Sequence, residues 1–512
     1  MTDWTAGYIA DIGYTFGYYT ELNPLRAQFA LLYGGFAPPA GSACCELGFG
    51  QGVSVNVHAA ASGSEWWATD FNPTQASFAR ELASVSGASA NLSDESFEEF
   101  CRRQDLPDFD FIGLHGIWSW VSDKNRQVIV DFIRRKLKVG GVVYVSYNTQ
   151  PGWAPMIPIR DLLTDHRDSM TAEGSGSVAQ VGAALEFIER LLDVNPTYAK
   201  VNPLIVERIK QIKTQNRNYL AHEYFNRDWA PMSFSRMASW LDSAKISFAV
   251  SAAYLEQLDP MNLTKEQVAM LKEIADPVLR NTTRDFIVNQ QFRRDYWVKG
   301  ARKLLPLQQI EHLRRLRFQL VNFVSDVTLK AVGSLGEVNL AEPIYAAVLE
   351  SLADYKAKSL HQIELDCQRK QVSFGHVLQA LLVLVGKGDV MPAQQDEKQI
   401  LKSKPSCDKL NARIMSIARE TGDIQSLASP VTGGAIGVGR FEQLFLLARQ
   451  QGHKTPEEWA TFVAQLIEGQ GQKLIVDGVT LETKDDTLSH LIGQGRMFSE
   501  KRLPVLKALL IA

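Results

Sequence analysis

Glu46-Leu47-Gly48-Phe49-Gly50-Gln51-Gly52 is the heptad on which the reading of this chain turns. It follows a short strand-like run, Ala43 to Leu47, and precedes a helical pattern that starts near Val53. Glycines at alternate positions let the backbone approach a ligand that a Cβ would repel, and the following helix offers free N–H groups. An adenosine-type ligand is therefore expected. The G-x-G-x-x-G of dinucleotide sites is absent, because Val53 stands five residues after Gly48 and the third glycine falls at Gly52. No Gly-Lys-Ser/Thr of a P-loop occurs.

On both sides of the heptad, residues 40–150 alternate short apolar or β-branched runs with helical patterns, which predicts a parallel sheet covered by helices. Five strands are expected: Ala43 to Leu47, Glu65 to Thr69, Ser89 to Leu92, Phe109 to Leu114 and Val142 to Tyr147. Open α/β sheets bind ligands at the carboxyl ends of their strands. The second strand ends at Asp70, ~20 residues past the first turn, placed to accept both ribose hydroxyls. The third leads into Asp94, Ser96 and Phe97, an acid or hydroxyl for the adenine edge and a ring for its face. The fourth ends at His115-Gly116-Ile117-Trp118. A glycine turn alone can be tight packing, and a lone Asp at a strand end is commonly a helix cap. The order of all four along successive strands favours a ligand site.

The 512 residues are 45% apolar and 22% charged, with 54 basic against 57 acidic side chains and a net charge of −3, so a soluble chain of about three domains is expected. A charge so near zero supplies no general attraction for nucleic acid or an anionic membrane. The start, MTDWTAGYIADIGYTFGYYTEL, lacks a basic n-region, and the longest apolar run, around Val377 to Val385, is about half a membrane span. Five cysteines without a CxxC pair fit a reducing compartment and offer no zinc site. A cytoplasmic location without a metal is the expectation.

From Pro155 to about Leu241 helical patterns replace strands, predicting a helical insertion over 155–241. Strand signals return at Ile246 to Ala253 and at Arg284 to Val298, the last two of a seven-stranded Rossmann-like sheet that closes a first domain at 1–300. Over 301–395, a strand pair within Arg317 to Leu340, helices at Pro343 to Tyr355 and Phe374 to Gly386, and a strand-turn outline a winged-helix-like domain. The second helix carries no Arg or Lys before Lys387, which argues against groove reading. Residues 396–512 read as helical with one glycine-rich turn, Ser429 to Gly434.

The acid followed by G-x-G-x-G resembles the first motif of class I S-adenosylmethionine (SAM) dependent methyltransferases. In that family Glu46, Gly48, Phe49, Gly50 and Gly52 would surround the amino acid part of SAM, and Phe71 and Asn72 would flank its adenine and ribose. Gly17 to Pro24, Tyr147 to Trp153, Ala221 to Phe225 and Gln291 to Asp295 together resemble bacterial methyltransferases with a methyltransferase regulatory domain. That group includes rickettsial protein lysine methyltransferases acting on outer membrane protein. The resemblance spans essentially the whole chain. It implies SAM as donor, S-adenosylhomocysteine as product, and protein lysine as acceptor. A small-molecule methyltransferase and a non-catalytic SAM-binding interaction protein are the rival readings.

A lysine acceptor must lose a proton before it attacks, and only about 1 in 2,500 is neutral at pH 7, equivalent to ~4.6 kcal/mol. Such a site needs an apolar wall and a proton acceptor. Tyr18, Trp118, Tyr147 and Tyr224, with Tyr19 and Trp153, form the aromatic set expected to hold a lysine stem and an ammonium product. His115 and His222 are the histidines near motif positions. On a straight helix through Ile205, Ile209, Ile212, Asn216 and Tyr219, Glu223 falls on the apolar stripe, so it either pairs with Arg293 or Arg294 or faces the acceptor. Asn148-Thr149-Gln150-Pro151 follows the fifth strand rather than the fourth, which disfavours base methylation.

Overall fold

The computed structural model describes residues 4–5, 7–172, 174–476 and 478–512. Seven strands build the central sheet: β1 Ala43–Leu47, β2 Glu65–Thr69, β3 Ala90–Ser93, β4 Phe109–Leu114, β5 Leu137–Asn148, β6 Ile246–Ser251 and β7 Phe292–Lys299. Their order is β3-β2-β1-β4-β5-β7-β6, with β7 antiparallel to both neighbours. The order reverses between β1 and β4, so a crevice opens at the carboxyl end of β1, where the heptad lies.

Helices α1 Pro24–Tyr33, α2 Val53–Ser62, α3 Pro73–Ser86, α4 Phe97–Arg102 and α5 Asp123–Lys136 accompany the first five strands. The insertion follows as α6 Ile157–Met170, α7 Ser177–Asp193, α8 Thr197–Val201, α9 Leu204–Lys213 and α10 Arg217–Tyr224. It has its own apolar core, including Leu163, Leu185, Ile188, Ile209 and Leu220.

Two local expectations fail for the same reason, a side-chain cap. The straight helix from Ile205 to Glu223 breaks after α9, because the Asn216 side chain accepts the Asn218 and Tyr219 N–H groups and starts a new helix. The strand expected from Arg284 begins only at Phe292: Asp276 caps a helix, Pro277–Ile287, with Pro277 in its first turn.

Beyond the sheet, Arg317–Leu320, Lys358–Ser359 and Val390–Ala393 form a three-stranded sheet, and Lys330–Gly333 pairs with Gly336–Asn339 in a hairpin. The expected strand pair is thus three strands, and a helix absent from the sequence reading, Leu360–Gln368, lies between Glu342–Leu352 and Phe374–Lys387. The Val377 to Val385 run is buried almost throughout. Among the described residues no helix is long and apolar enough to cross a membrane.

The C-terminal region lies against α2 and α3 through a 21-residue helix, Glu397–Ile417. Every residue of α2 from Val53 to Ala61 is buried, which is why this helix has no polar face. The glycine-rich turn joins two short strands, Ser426–Ser429 and Gly434–Gly437, and docks at the start of α1: Asn23 Nδ2 donates to the Thr432 carbonyl at 3.1 Å.

Candidate active site

The heptad makes its turn with Gly48, Gly50 and Gly52 all at positive φ. A Cβ on Gly48 would stand 2.3 Å from Ile117 Cδ1, and one on Gly52 would stand 2.4 Å from Ala79 Cβ, so only hydrogen fits at either place. The Gly50 N–H donates to Asp70 Oδ2 at 2.8 Å, and the Asn72 N–H donates to Oδ1 at 3.0 Å. Burial pushes the Asp70 carboxyl up to about 6, against the pull of these two donors. The carboxylate at the tip of β2 is thus locked to the glycine turn at the tip of β1.

These groups form the floor of a cavity of about 350 Å³, the size of a small-ligand site. Phe49, Phe71, Ser96 and Phe97 line it beside Asp70. His115 and Gly116 close the β4 side. The Tyr19 ring stacks on His115 at 3.6 Å, and His115 Nδ1 lies 2.8 Å from the Tyr144 hydroxyl. Burial pushes His115 down to about 4, so its ring is neutral. The roof is an N-terminal strap, with Tyr8 and Tyr14 facing the cavity. The strap is tied to the insertion: the Ile9 N–H donates to Asn226 Oδ1 at 2.9 Å, and Ser177 Oγ donates to Asp11 Oδ1 at 2.7 Å.

A small recess shares Tyr8, Tyr14, Gly116 and Trp120 with this cavity and is also lined by Tyr219, His222 and Glu223. Glu223 is held by Asn148, whose Nδ2 donates to Oε1 at 3.4 Å. Burial pushes its carboxyl up to about 7, with Asn148, Tyr219 and Arg208 opposing. The Trp120 indole N–H donates to the Glu223 carbonyl at 3.1 Å. Both arginines named as partners are taken elsewhere: Arg293 by Asp285 and Asp295, Arg294 by Glu21. Glu223 faces the recess.

Several expected site residues point away from the cavity. Tyr18 packs on His58, with a Cβ on Gly434 only 2.3 Å from its hydroxyl. Trp118 is 1% exposed in the core, its N–H directed to Met232 Sδ, and Trp120 takes the place expected of it. Tyr147 lies on the opposite face of β5 from Tyr144 and donates to Asp295 Oδ2 at 3.0 Å. Tyr224 packs on Trp153 inside the insertion. Asp94 pairs on the surface with Arg80 at 2.6 Å, and the Asn72 side chain caps α3. Gly52 packs under α3 rather than lining the cavity. Ser96 caps α4 while also lining the cavity. Tyr8, Tyr14, Trp120 and Tyr219 also line the site and carry no motif that marks them in the sequence, although the aromatic crowding of residues 4–19 is visible there.

The residues fit SAM on two observations: Gly48 and Gly50 turn at positive φ and a side chain on Gly48 would run into Ile117 at the cradle wall, and Glu46 Oε2 lies buried beside it without a hydrogen-bond partner. Burial, then the neighbouring Asp70 charge, pushes Glu46 up to about 8. Among the described residues no three His, Cys, Asp or Glu side chains stand together as metal ligands.

Strand order and the glycine turn at the β1 tip define a class I methyltransferase fold. PKMT2 from Rickettsia typhi, solved in complex with AdoHcy, has this architecture throughout, with a TM-score of 0.70 at 18% identity over 98% of this chain and 100% of its own. Residues 216–299 match the family model of the predicted methyltransferase regulatory domain. A Synechocystis sp. protein is 38% identical over 511 residues, 99% of each chain. A Rickettsia prowazekii protein is 29% identical over 287 residues, 54% of this chain and 49% of its own. The chain belongs to the family of class I methyltransferase-fold proteins that carry this regulatory domain.

Proposed function

We propose that the protein transfers the methyl group of SAM to an amine, the lysine Nε of a protein substrate, and releases S-adenosylhomocysteine. The observation that carries this reading is that the Gly48-Gly50-Asp70 cradle shares Tyr8, Tyr14, Gly116 and Trp120 with an adjoining aromatic recess lined by the Glu223 carboxylate. The R. typhi protein of the same fold binds AdoHcy, which supports the donor.

In this reading the glycine turn and Glu46 hold the amino acid part, Asp70 the ribose, and Phe71 and Phe97 the adenine. SAM supplies a sulfonium methyl whose C–S pair stays on sulfur when the amine lone pair forms the new bond. The protein's work is to align the acceptor and keep water out. The recess, about 10 Å³, has room for one water-sized group, so Tyr8, Tyr14, Trp120 and Tyr219 suit the cationic head of a lysine rather than its stem. The winged-helix-like 301–395 region and the helical 396–512 region would shape the approach of an acceptor protein, for instance a surface or outer-membrane protein. Five buried free cysteines support a cytoplasmic location.

A second reading, a small-molecule amine as acceptor, is favoured by the strap and α10, which together roof the recess. One experiment separates the readings. SAM is titrated by calorimetry, and tritiated SAM is then incubated with the protein and whole-cell extract. Label in protein supports the first reading and label in small molecules the second. Binding without transfer leaves a SAM-binding interaction protein, and absence of binding removes the cofactor assignment.

A further inference from the structure

Resting on the amine reading above, we propose that Glu223 accepts the proton that the incoming ammonium must lose, with Asn148 as its positioning residue. Glu223 lines the recess, which shares Tyr8, Tyr14, Gly116 and Trp120 with the cofactor cavity. No cation within salt-bridge distance neutralises it among the described residues, and Asn148, at the end of β5, holds Oε1. A carboxylate among four aromatic rings is a site for a compact cation, and an alkylammonium group fits that description.

The step balances within the recess. An N–H bond breaks with its electron pair left on nitrogen, the proton forms an O–H bond on Glu223, and the neutral amine then carries the lone pair that methyl transfer requires. The proton leaves to solvent after product release.

Every titratable or charged group around Glu223 is compatible with this role. Tyr219 and Tyr224 on α10, and Tyr8 and Tyr14 on the strap, are all pushed upward by burial and stay neutral. His222 is pushed down by burial and stays neutral as well. Arg208 on α9 attracts the carboxylate from a distance while stacking on Trp153. Burial pushes the Glu223 carboxyl up to about 7, which leaves an ionised fraction to act as base at neutral pH.

The test compares wild type with Glu223→Gln, using tritium transfer from SAM into the proteins of a cell extract between pH 6 and pH 9. Wild-type rate is expected to rise to a plateau above about pH 7. The variant should be slower by about 100-fold or more at pH 7.5. Its residual rate should climb about tenfold per pH unit, following the free-amine fraction. SAM affinity should be unchanged, because Glu223 does not line the cofactor cavity. In the ligand-free protein, a carboxyl signal that titrates near pH 7 by infrared difference spectroscopy should be missing from Glu223→Gln. Asn148→Ala should displace the acid limb of the wild-type profile and lower kcat with SAM affinity intact, and Asn148→Gln should restore part of the rate. A Glu223→Gln enzyme with wild-type rate and profile overturns the inference while leaving methyl transfer standing. Absence of label with either protein, despite bound SAM, overturns methyl transfer and this inference together.

Discussion

At the scale of single residues, Glu46 is the most costly group in the site. Its carboxyl is 2% exposed, Oε2 lacks a partner, and Asp70 stands nearby, so the protonated form is favoured up to about pH 8. In the unfolded chain it ionises near 4.5. Between those values the folded protein holds a proton that the unfolded chain has released, so stability falls as pH rises through this window. Glu46→Gln removes the titration. Its Tm should match wild type at pH 5 and exceed it by a few degrees at pH 8, at roughly 1 °C per kcal/mol for a chain of 512 residues. Equal melting curves at both pH values would show that Glu46 does not titrate there. The same scale explains which site residues were readable. Gly48, Gly50 and Asp70 stand close in sequence and their residue types declare their use. Tyr18 and Trp118 failed because aromatic side chains one or two positions away, Tyr19 and Trp120, turn to the cavity instead, and sequence gives no facing for residues in irregular turns.

At the scale of elements, caps decide where chain segments start, and they account for both the errors and the place of one expected ligand. Asn72, expected beside the ribose, serves instead as a helix cap: its Oδ1 accepts the Thr74 N–H at 3.0 Å while Pro73 follows in the first turn. The capping role makes a definite forecast. Asn72→Ala should cost about 1 kcal/mol, and Asn72→Ser, which caps as well, only a few tenths. Neither should change SAM affinity, since the Asn72 side chain does not line the cavity. Thermal unfolding together with SAM calorimetry checks both halves, and a tenfold loss of affinity in Asn72→Ser would return the side chain to the ligand. β1, β4 and β5 were legible as largely apolar runs between turn residues, whereas β7, with Arg293, Arg294 and Asp295 in it, was placed only roughly because the helix Pro277–Ile287 runs into its expected start. The break before α10 was not, since Asn216 caps by a side-chain geometry that helical periodicity does not register. Glu223 nonetheless faces inward, because α10 alone presents it to Trp120 and Asn148.

At the scale of the whole molecule, the later regions support the site although none of their described residues lines it. α2, which begins where the glycine turn ends, has no exposed residue between Val53 and Ala60, and the helix Glu397–Ile417 with the strands of the C-terminal hairpin supplies much of its cover. Their contact reaches the cavity wall through one segment. Gly434 lies against Tyr18 and Asn23, while Tyr19 between them stacks on His115 and donates its backbone N–H to Ser54 Oγ at 2.9 Å. Such coupling is invisible in sequence, since residues about 400 apart have no pattern in common. Gly434→Val should therefore act at a distance. Its Cβ would meet the Tyr18 hydroxyl at 2.3 Å and Asn23 Nδ2 at 2.7 Å, so the 18–23 segment must shift. Overpacking of this kind costs about 1–3 kcal/mol, and part of it should appear as a several-fold weaker SAM affinity because Tyr19 moves with its neighbours. Gly437→Val, on the same strand with nothing within 4 Å of its Cβ, serves as the control. If both variants bind SAM like wild type while only Gly434→Val melts early, the C-terminal region supports the fold without shaping the cofactor cavity.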